Sequence, residues 1–310
     1  MAGITLTTLV ITYNHEKFIE EALEGVLMQQ TEFECEVIVS EDCSTDNTRA
    51  IVERVAREHP ERLRVMLSER NLNDNTVLRR GIEAARGRYL ALLDGDDVWT
   101  DPAKLQKQVD FLESRPDCSM CFHNARVVYD DRSHESHLYL VDEPSPVLIS
   151  ARKPKPLSTL EDVVRAFFAP TCSTVFRTEY LRDMPAWYDG LAAGDHPLHV
   201  FCAEHGYVAY LDQVMADYRV HAGGLWTVRG RYERLEDVEA VVEVFDAINQ
   251  HLDRRFDHVV DPYIERFYRA RAVAFYRDRK YRSALACARG ALGRRPVRRR
   301  AKRLLSLPRG

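Results

Sequence analysis

Three carboxylates stand within four residues at Asp94-Gly95-Asp96-Asp97, directly after the apolar run Tyr89–Leu93. Carboxylates this close repel one another, so burying them demands a compensating cation or a dedicated set of partners. At the carboxyl end of a strand, where α/β sheets bind ligands, the natural compensator is a divalent metal carrying a phosphate ligand. The plain alternative is a solvated Asp/Gly turn. Three more polar sets follow strand-like or loop segments: Thr12-Tyr13-Asn14, Glu41-Asp42-Cys43-Ser44-Thr45-Asp46, and Gly194-Asp195-His196-Pro197 at the start of a helical stretch. No glycine-rich dinucleotide turn follows the first strand-like run and no phosphate-loop lysine motif occurs, which argues against a dehydrogenase or a nucleotide triphosphatase.

The elements that must position these groups can be read from periodicity. Leu6–Thr12, Glu36–Ser40, Leu63–Leu67 and Tyr89–Leu93 are short apolar or β-branched runs that predict strands. Between them, 16–29, 47–59 and 77–85 carry apolar residues at helical spacing. Alternating β and α units of this length imply parallel strands with helical crossovers. Further on, 102–115, 160–168 and 197–204 predict helices. Cys118–Tyr129, Ser173–Arg177, Val208–Leu211 and Met215–Val220 predict strands, and the proline-rich 143–156 a surface loop. From about 231 onward the pattern is helical, with segments near 231–250, 262–277, 280–293 and 296–306. Their pairing resembles a short tetratricopeptide-like appendage.

Composition sets the outer limits. The chain has 310 residues, 45% hydrophobic and 30% charged, within the range of soluble globular proteins. No apolar run approaches a membrane span, and the threonine-rich stretch Ile4–Ile11 reads as a strand, not a signal peptide. Seven scattered cysteines suit a reducing cytoplasm. Charge is strongly segregated: the first 278 residues hold 32 Lys/Arg against 48 acids, a net of −16, whereas the last 32 hold 12 Lys/Arg and no acid. Such an acidic body without a base-reading motif speaks against nucleic acid as a partner. The basic tail around 294–303, with Leu304, Leu305 and Leu307 beyond it, suits peripheral contact with anionic lipid, at the inner membrane face for a cytoplasmic protein.

Taken together in order, T-Y-N-H-E-K-F-I, V-I-V-S-E-D-C-S-T-D-N-T, A-R-G-R-Y-L-A-L-L-D-G-D-D, G-D-H-P-L-H and Y-R-V-H-A-G-G-L-W resemble the family 2 glycosyltransferases of the GT-A fold, over residues 4–226. The resemblance implies an α/β, Rossmann-like nucleotide-diphospho-sugar transferase domain over 1–228, followed by a helical appendage over 229–310. It also implies an inverting transferase using Mn²⁺ or Mg²⁺ to move a sugar from a nucleotide-sugar donor, a UDP-sugar by expectation, to an acceptor hydroxyl. That acceptor can be a glycan, a lipid-linked molecule, a peptide or a small molecule. Thr12, Tyr13 and Asp42 match nucleoside-holding positions, Asp94 a ribose or metal-water contact, Asp96 the metal ligand and Asp195 the base. His221 matches a histidine that completes the metal shell in some members, and Asp97 a supporting group or helix cap. Gly194 departs from the Glu-Asp that the family often carries there.

Other signals have ordinary explanations. Cys118-Ser-Met-Cys121 with His123 is half of a zinc motif without its other half, so core cysteine is expected. Trp99 and Trp226 can stack on a sugar face or simply pack. Two competing functions remain consistent with paired aspartates: a nucleotidyltransferase, although its glycine/arginine-rich amino-terminal signature is replaced by Thr12–His15, and a non-catalytic nucleotide-binding scaffold.

Overall fold

The computed structural model describes residues 3–144, 151–166, 169–224 and 234–294. Trp226, the helix expected at 296–306 and nearly all of the basic tail lie outside these residues, as do 145–150 of the expected loop. Residue contacts divide the chain into two compact units, Met1–Arg231 and Tyr232–Gly310.

The first unit begins with the expected alternation: β1 (Leu6–Thr12), α1 (Ile19–Leu27), β2 (Cys35–Glu41), α2 (Thr48–Glu58), β3 (Leu63–Leu67), α3 (Thr76–Ala84) and β4 (Tyr89–Asp94). These strands pair in parallel in the order β3-β2-β1-β4, with Leu9 opposite both Ile38 and Leu92. Helices cover both faces, which is why these strands read as nearly continuous apolar runs; Leu6, Leu9, Val10, Ile38, Leu90 and Ala91 are wholly buried.

Past β4 the sheet becomes mixed. β5 (Val98–Trp99), α4 (Lys104–Ser114), β6 (Cys118–Tyr129), β7 (His137–Leu138), β8 (Leu140–Val141), β9 (Ala151–Arg152), β10 (Leu157–Ser158), α5 (Leu160–Arg165), β11 (Val175–Arg177), α6 (Asp195–Ala203) and β12 (Tyr207–Val220) follow. β11 lies antiparallel between β4 and β6, and β12 runs parallel to β6 and antiparallel to β10, giving a ten-stranded sheet. Two strands were expected over 208–220, yet one is found. Register shifts near Leu211–Asp217 absorb the polar Asp212-Gln213 pair as bulges, so the strand bends without ending. The bend lets its far half pair with β5, Ala216 opposite Trp99, and carries His221 to the carboxyl edge of β4.

Two ambiguous signals resolve into packing. Cys118 and Cys121 are both buried in β6, three apart on a strand and so on opposite faces, an arrangement unsuited to one metal. Trp99 is fully buried, donates to the Cys172 carbonyl at 2.7 Å and carries the Lys104 ammonium 4.1 Å over its ring, so it is not a sugar platform.

The second unit is helical: α7 (Leu235–His251), α8 (Asp257–Arg277) and α9 (Tyr281–Gly293). Val238, Phe275, Ala284 and Cys287 form its core, flanked by Leu235, Phe267, Tyr268 and Ala272.

Candidate active site

The carboxyl edge of the parallel strands gathers the polar sets. β1 ends at Thr12, and Asn14 follows in the left-handed region at φ 55°, a conformation that asparagine tolerates. Its side chain accepts from the Thr45 amide at 2.8 Å and its own amide donates to Ser44 Oγ at 3.0 Å, tying the first loop to the second. This tight turn directs His15 inward. The Thr12 hydroxyl, wholly buried, lies 3.3 Å from His15 Nδ1, which leaves Nε2 facing Asp96 Oδ2 at 3.7 Å. From the other side His221 Nε2 meets the same Asp96 oxygen at 3.0 Å, its ring packed on Phe18 at 4.6 Å.

His15, Asp96 and His221 therefore offer three ligand atoms within 4.8 Å of one another, the one such metal-capable group among the described residues. Two imidazoles and a carboxylate suit Mn²⁺ better than the harder Mg²⁺. Gly95 makes this approach possible: a Cβ there would stand 2.7 Å from Thr12 Oγ1 and 2.9 Å from His15 Nδ1.

The three neighbouring carboxyls do not share one state. Burial pushes Asp94 up to about 8, with the charges of Asp96 and Asp195 adding to the rise. Asp97 is driven well above the usual carboxylate range by burial and by Asp96 and Asp94. Burial works on Asp96 in the same sense, but the His221 hydrogen bond and the adjacent imidazoles hold it below the usual range. His15 is lowered by burial against the pull of Asp96, keeping it in the neutral form that ligates metals. Without a cation, burial disfavours charge on Asp94 and Asp97, whereas the imidazoles favour it on Asp96. The donor set and the excess of buried acid thus fit a divalent cation.

Asp97 does not cap a helix, since α4 begins at Lys104 behind Ala103. It accepts from the Arg219 amide of β12 at 2.8 Å, fastening that strand beside the site.

Asp195 opens α6. Its Oδ1 accepts from the His196 amide at 3.1 Å and its Oδ2 from Thr171 Oγ1 at 3.4 Å; Thr171 also bonds to Asp94. Burial raises Asp195 to about 6. The residue before it has no room for a side chain: a Cβ on Gly194 would stand 2.6 Å from Asn75 Oδ1 and 2.8 Å from the Tyr188 hydroxyl. That geometry accounts for the missing glutamate.

The remaining candidates sit around this centre. Tyr13 is 38% exposed at the edge. Asp42 is nearly buried and accepts from the amides of Leu72 and Asn73 at 3.1 and 3.3 Å, closing the loop after β3 over β2. His15 and Thr171 received no role from sequence reasoning. His15 stood within the first motif, but its part depends on Asp96, which only the folded β1–β4 pairing brings near.

Known proteins share this architecture and sequence pattern. Residues 7–184 match the family described as Glycosyl transferase family 2. The uncharacterized protein Rv1520 of Mycobacterium tuberculosis is 38% identical over 225 residues, covering 71% of this chain and 60% of that one; the chain therefore spans less than two thirds of this relative. Among solved structures, S. aureus TarS in complex with UDP-GlcNAc superposes with a TM-score of 0.58 at 19% identity, covering 94% of this chain and 92% of that one. The mannosyltransferase PcManGT from Pyrobaculum calidifontis, in complex with GDP-Man and Mn²⁺, gives 0.57 at 18% identity, covering 94% and 78%. The mixed α/β sheet is that of the GT-A enzymes, and with more than half of its length matched, the chain belongs to glycosyl transferase family 2.

Proposed function

We propose that residues 1–228 form a metal-dependent, inverting glycosyltransferase that moves a sugar from a nucleotide-diphosphate donor, a UDP-sugar, to an acceptor hydroxyl. The observation that carries this reading is the convergence of His15, Asp96 and His221 on one point, together with a half-buried Asp195 raised to about 6. UDP-GlcNAc in TarS and GDP-Man with Mn²⁺ in PcManGT support a nucleotide-sugar donor and a divalent ion.

His15, Asp96 and His221 would hold the ion. When bound, it supplies positive charge to the donor diphosphate and so stabilises the departing nucleotide. Asp94 would meet the ribose or a water on the ion, and Thr12, Tyr13 and Asp42 would hold the nucleoside. Asp195 takes the acceptor proton as the hydroxyl attacks the anomeric carbon from the face opposite the leaving group, which inverts that centre. A group raised to about 6 is ionised at neutral pH yet basic enough to accept a proton as attack proceeds. Thr171 orients it through Oδ2. The acceptor belongs to glycan, cell-envelope or glycoconjugate biosynthesis on the cytoplasmic side, and the basic carboxyl-terminal residues make a peripheral contact with the membrane.

Nucleotide release from a panel of UDP-, GDP- and TDP-sugars with Mn²⁺, with and without EDTA and beside Asp96→Ala, tests this reading. Slow metal-dependent hydrolysis of one donor, abolished in the variant, is the expected result. Absence of both turnover and calorimetric donor binding across the panel would overturn this reading in favour of the non-catalytic scaffold.

A further inference from the structure

The second unit exposes what globular helices usually cover. Of the ten large apolar side chains exposed among the described residues, five lie between 273 and 292: Val273, Tyr276, Tyr281, Leu285 and Leu292, each more than half exposed. On α9, Tyr281, Leu285 and Leu292 fall within an arc of about 40° at 100° per residue, away from the buried Ala284, Cys287 and Ala291. The exposed Arg282 and Arg289 border that arc. On α8 the exposed Val273 and Tyr276 share a face with exposed Arg266 and Arg277. The Tyr276 and Tyr281 rings meet edge to face, 5.6 Å between centroids, and join the two faces at the turn. Asp278 is the only acid between Arg266 and Arg294, and none follows it.

We propose that this α8–α9 face docks on an anionic lipid surface. An apolar stripe bordered by arginines is the pattern of a helix lying in the headgroup region, with Tyr and Leu at the acyl boundary and guanidinium groups among the phosphates. Charge decides between occupants. A second copy of this chain would set cationic face against cationic face, which disfavours self-docking; an anionic bilayer complements both the arginines and the apolar stripe. The surface is folded, distinct from the basic tail, and uses none of the residues assigned to the transferase. It can therefore fail without touching that assignment, and nucleotide release without vesicles reads the other.

Co-sedimentation of the full chain with phosphatidylcholine vesicles, with and without about one third phosphatidylglycerol, tests the proposal. Binding is expected only with the anionic lipid and weakens as salt is raised from about 0.1 to about 1 M. The Leu285→Glu/Leu292→Glu variant is expected to partition at least about tenfold less, with its circular dichroism unchanged. Leu285→Trp gives a second readout that needs no disruptive change: its added emission shifts to the blue on anionic vesicles. No sedimentation with anionic vesicles would overturn the proposal. So would binding that persists in the Glu variant with no blue shift, since the tail alone would then be the anchor. A dimer in light scattering that Leu285→Glu dissolves would assign the face to a second copy instead.

Discussion

Two regions of this chain reverse the ordinary rule of burial, in opposite senses. The edge of the parallel sheet buries Asp97 and half-buries Asp94 and Asp195, raising all three carboxyls, while the α8–α9 hairpin leaves Tyr276, Tyr281, Leu285 and Leu292 largely exposed. Neither arrangement is favourable for folding alone: buried carboxyls lose hydration, and exposed apolar groups gain nothing from collapse. The difference lies in the kind of partner each awaits. The sheet edge holds its groups through fixed hydrogen bonds from Thr171, His221 and Arg219, a frame suited to a small charged ligand of defined shape. The hairpin presents exposed apolar side chains joined across its turn, suited to an extended surface.

The strongest test of the contrast is Asp195→Asn. Loss of the base is expected to lower turnover by about 10²–10⁴-fold while donor binding persists. In the wild type, turnover should rise with pH through about 6 and then level, because the ionised form is the active one. Stability should move oppositely. The folded value of about 6 lies above the ordinary 3.8, so between these the folded state keeps a proton that the unfolded chain has released. Stability from this group is full below about 4 and falls as pH rises to about 6. Asparagine holds no titrating proton, so the variant should gain on the order of 1–3 kcal/mol over the wild type above pH 6 and almost nothing below pH 4. Thermal unfolding without metal at the two pH values measures this. An equal shift at both would mean that the carboxyl is not desolvated, and the contrast with the hairpin would collapse.

A smaller effect is expected from His15→Ala. Losing one nitrogen donor should weaken Mn²⁺ binding by at least about tenfold in calorimetry, with little change in fold, because the Thr12 hydroxyl is its main side-chain tie. Unchanged affinity would reduce the metal group to Asp96 and His221.

The sequence carried much of this arrangement and missed specific parts for physical reasons. The bounds of β1, β3 and β6 match expectation residue for residue, because each is an apolar or β-branched run flanked by turn or helix-ending residues. The carboxylates of the edge were legible as types and spacing. Their individual states were not, since Asp96 differs from Asp94 through His221, 125 positions away, and through His15. Asp97 looked like a cap because its true partner is the Arg219 amide on a strand whose bend sequence alone rendered as a gap. Likewise Gly194 stood out as a departure, but its cause is Asn75 and Tyr188, brought there by the loop that Arg79 holds through the Met184 and Pro185 carbonyls.

That last contact gives a test of how rigid the edge is. Gly194→Ala should destabilise by about 1–3 kcal/mol, because Asn75 is anchored to the Tyr188 and Leu191 carbonyls and cannot retreat. The Tyr188 hydroxyl is buried with no hydrogen-bond partner among the described residues, so Tyr188→Phe alone should be neutral or slightly stabilising. Combined, the alanine should cost less than by itself, a coupling of about 0.5–1 kcal/mol in a double-mutant cycle. Strict additivity would show that the loop yields, and that the edge is softer than its hydrogen bonds imply.

The smallest expected effect belongs to the other region and is informative for that reason. Leu285→Gln and Leu292→Gln replace side chains already in water, so each should change unfolding stability by no more than about 0.5 kcal/mol. Phe275→Ala, in the core of the same unit with 2% exposure, should cost about 3–5 kcal/mol. If the leucine variants proved as damaging as the phenylalanine one, those side chains would be structural and the exposed stripe would lose its meaning. Indifference of the fold to both leucines, together with their requirement on anionic vesicles, would show that the hairpin keeps its apolar residues for a surface outside the chain.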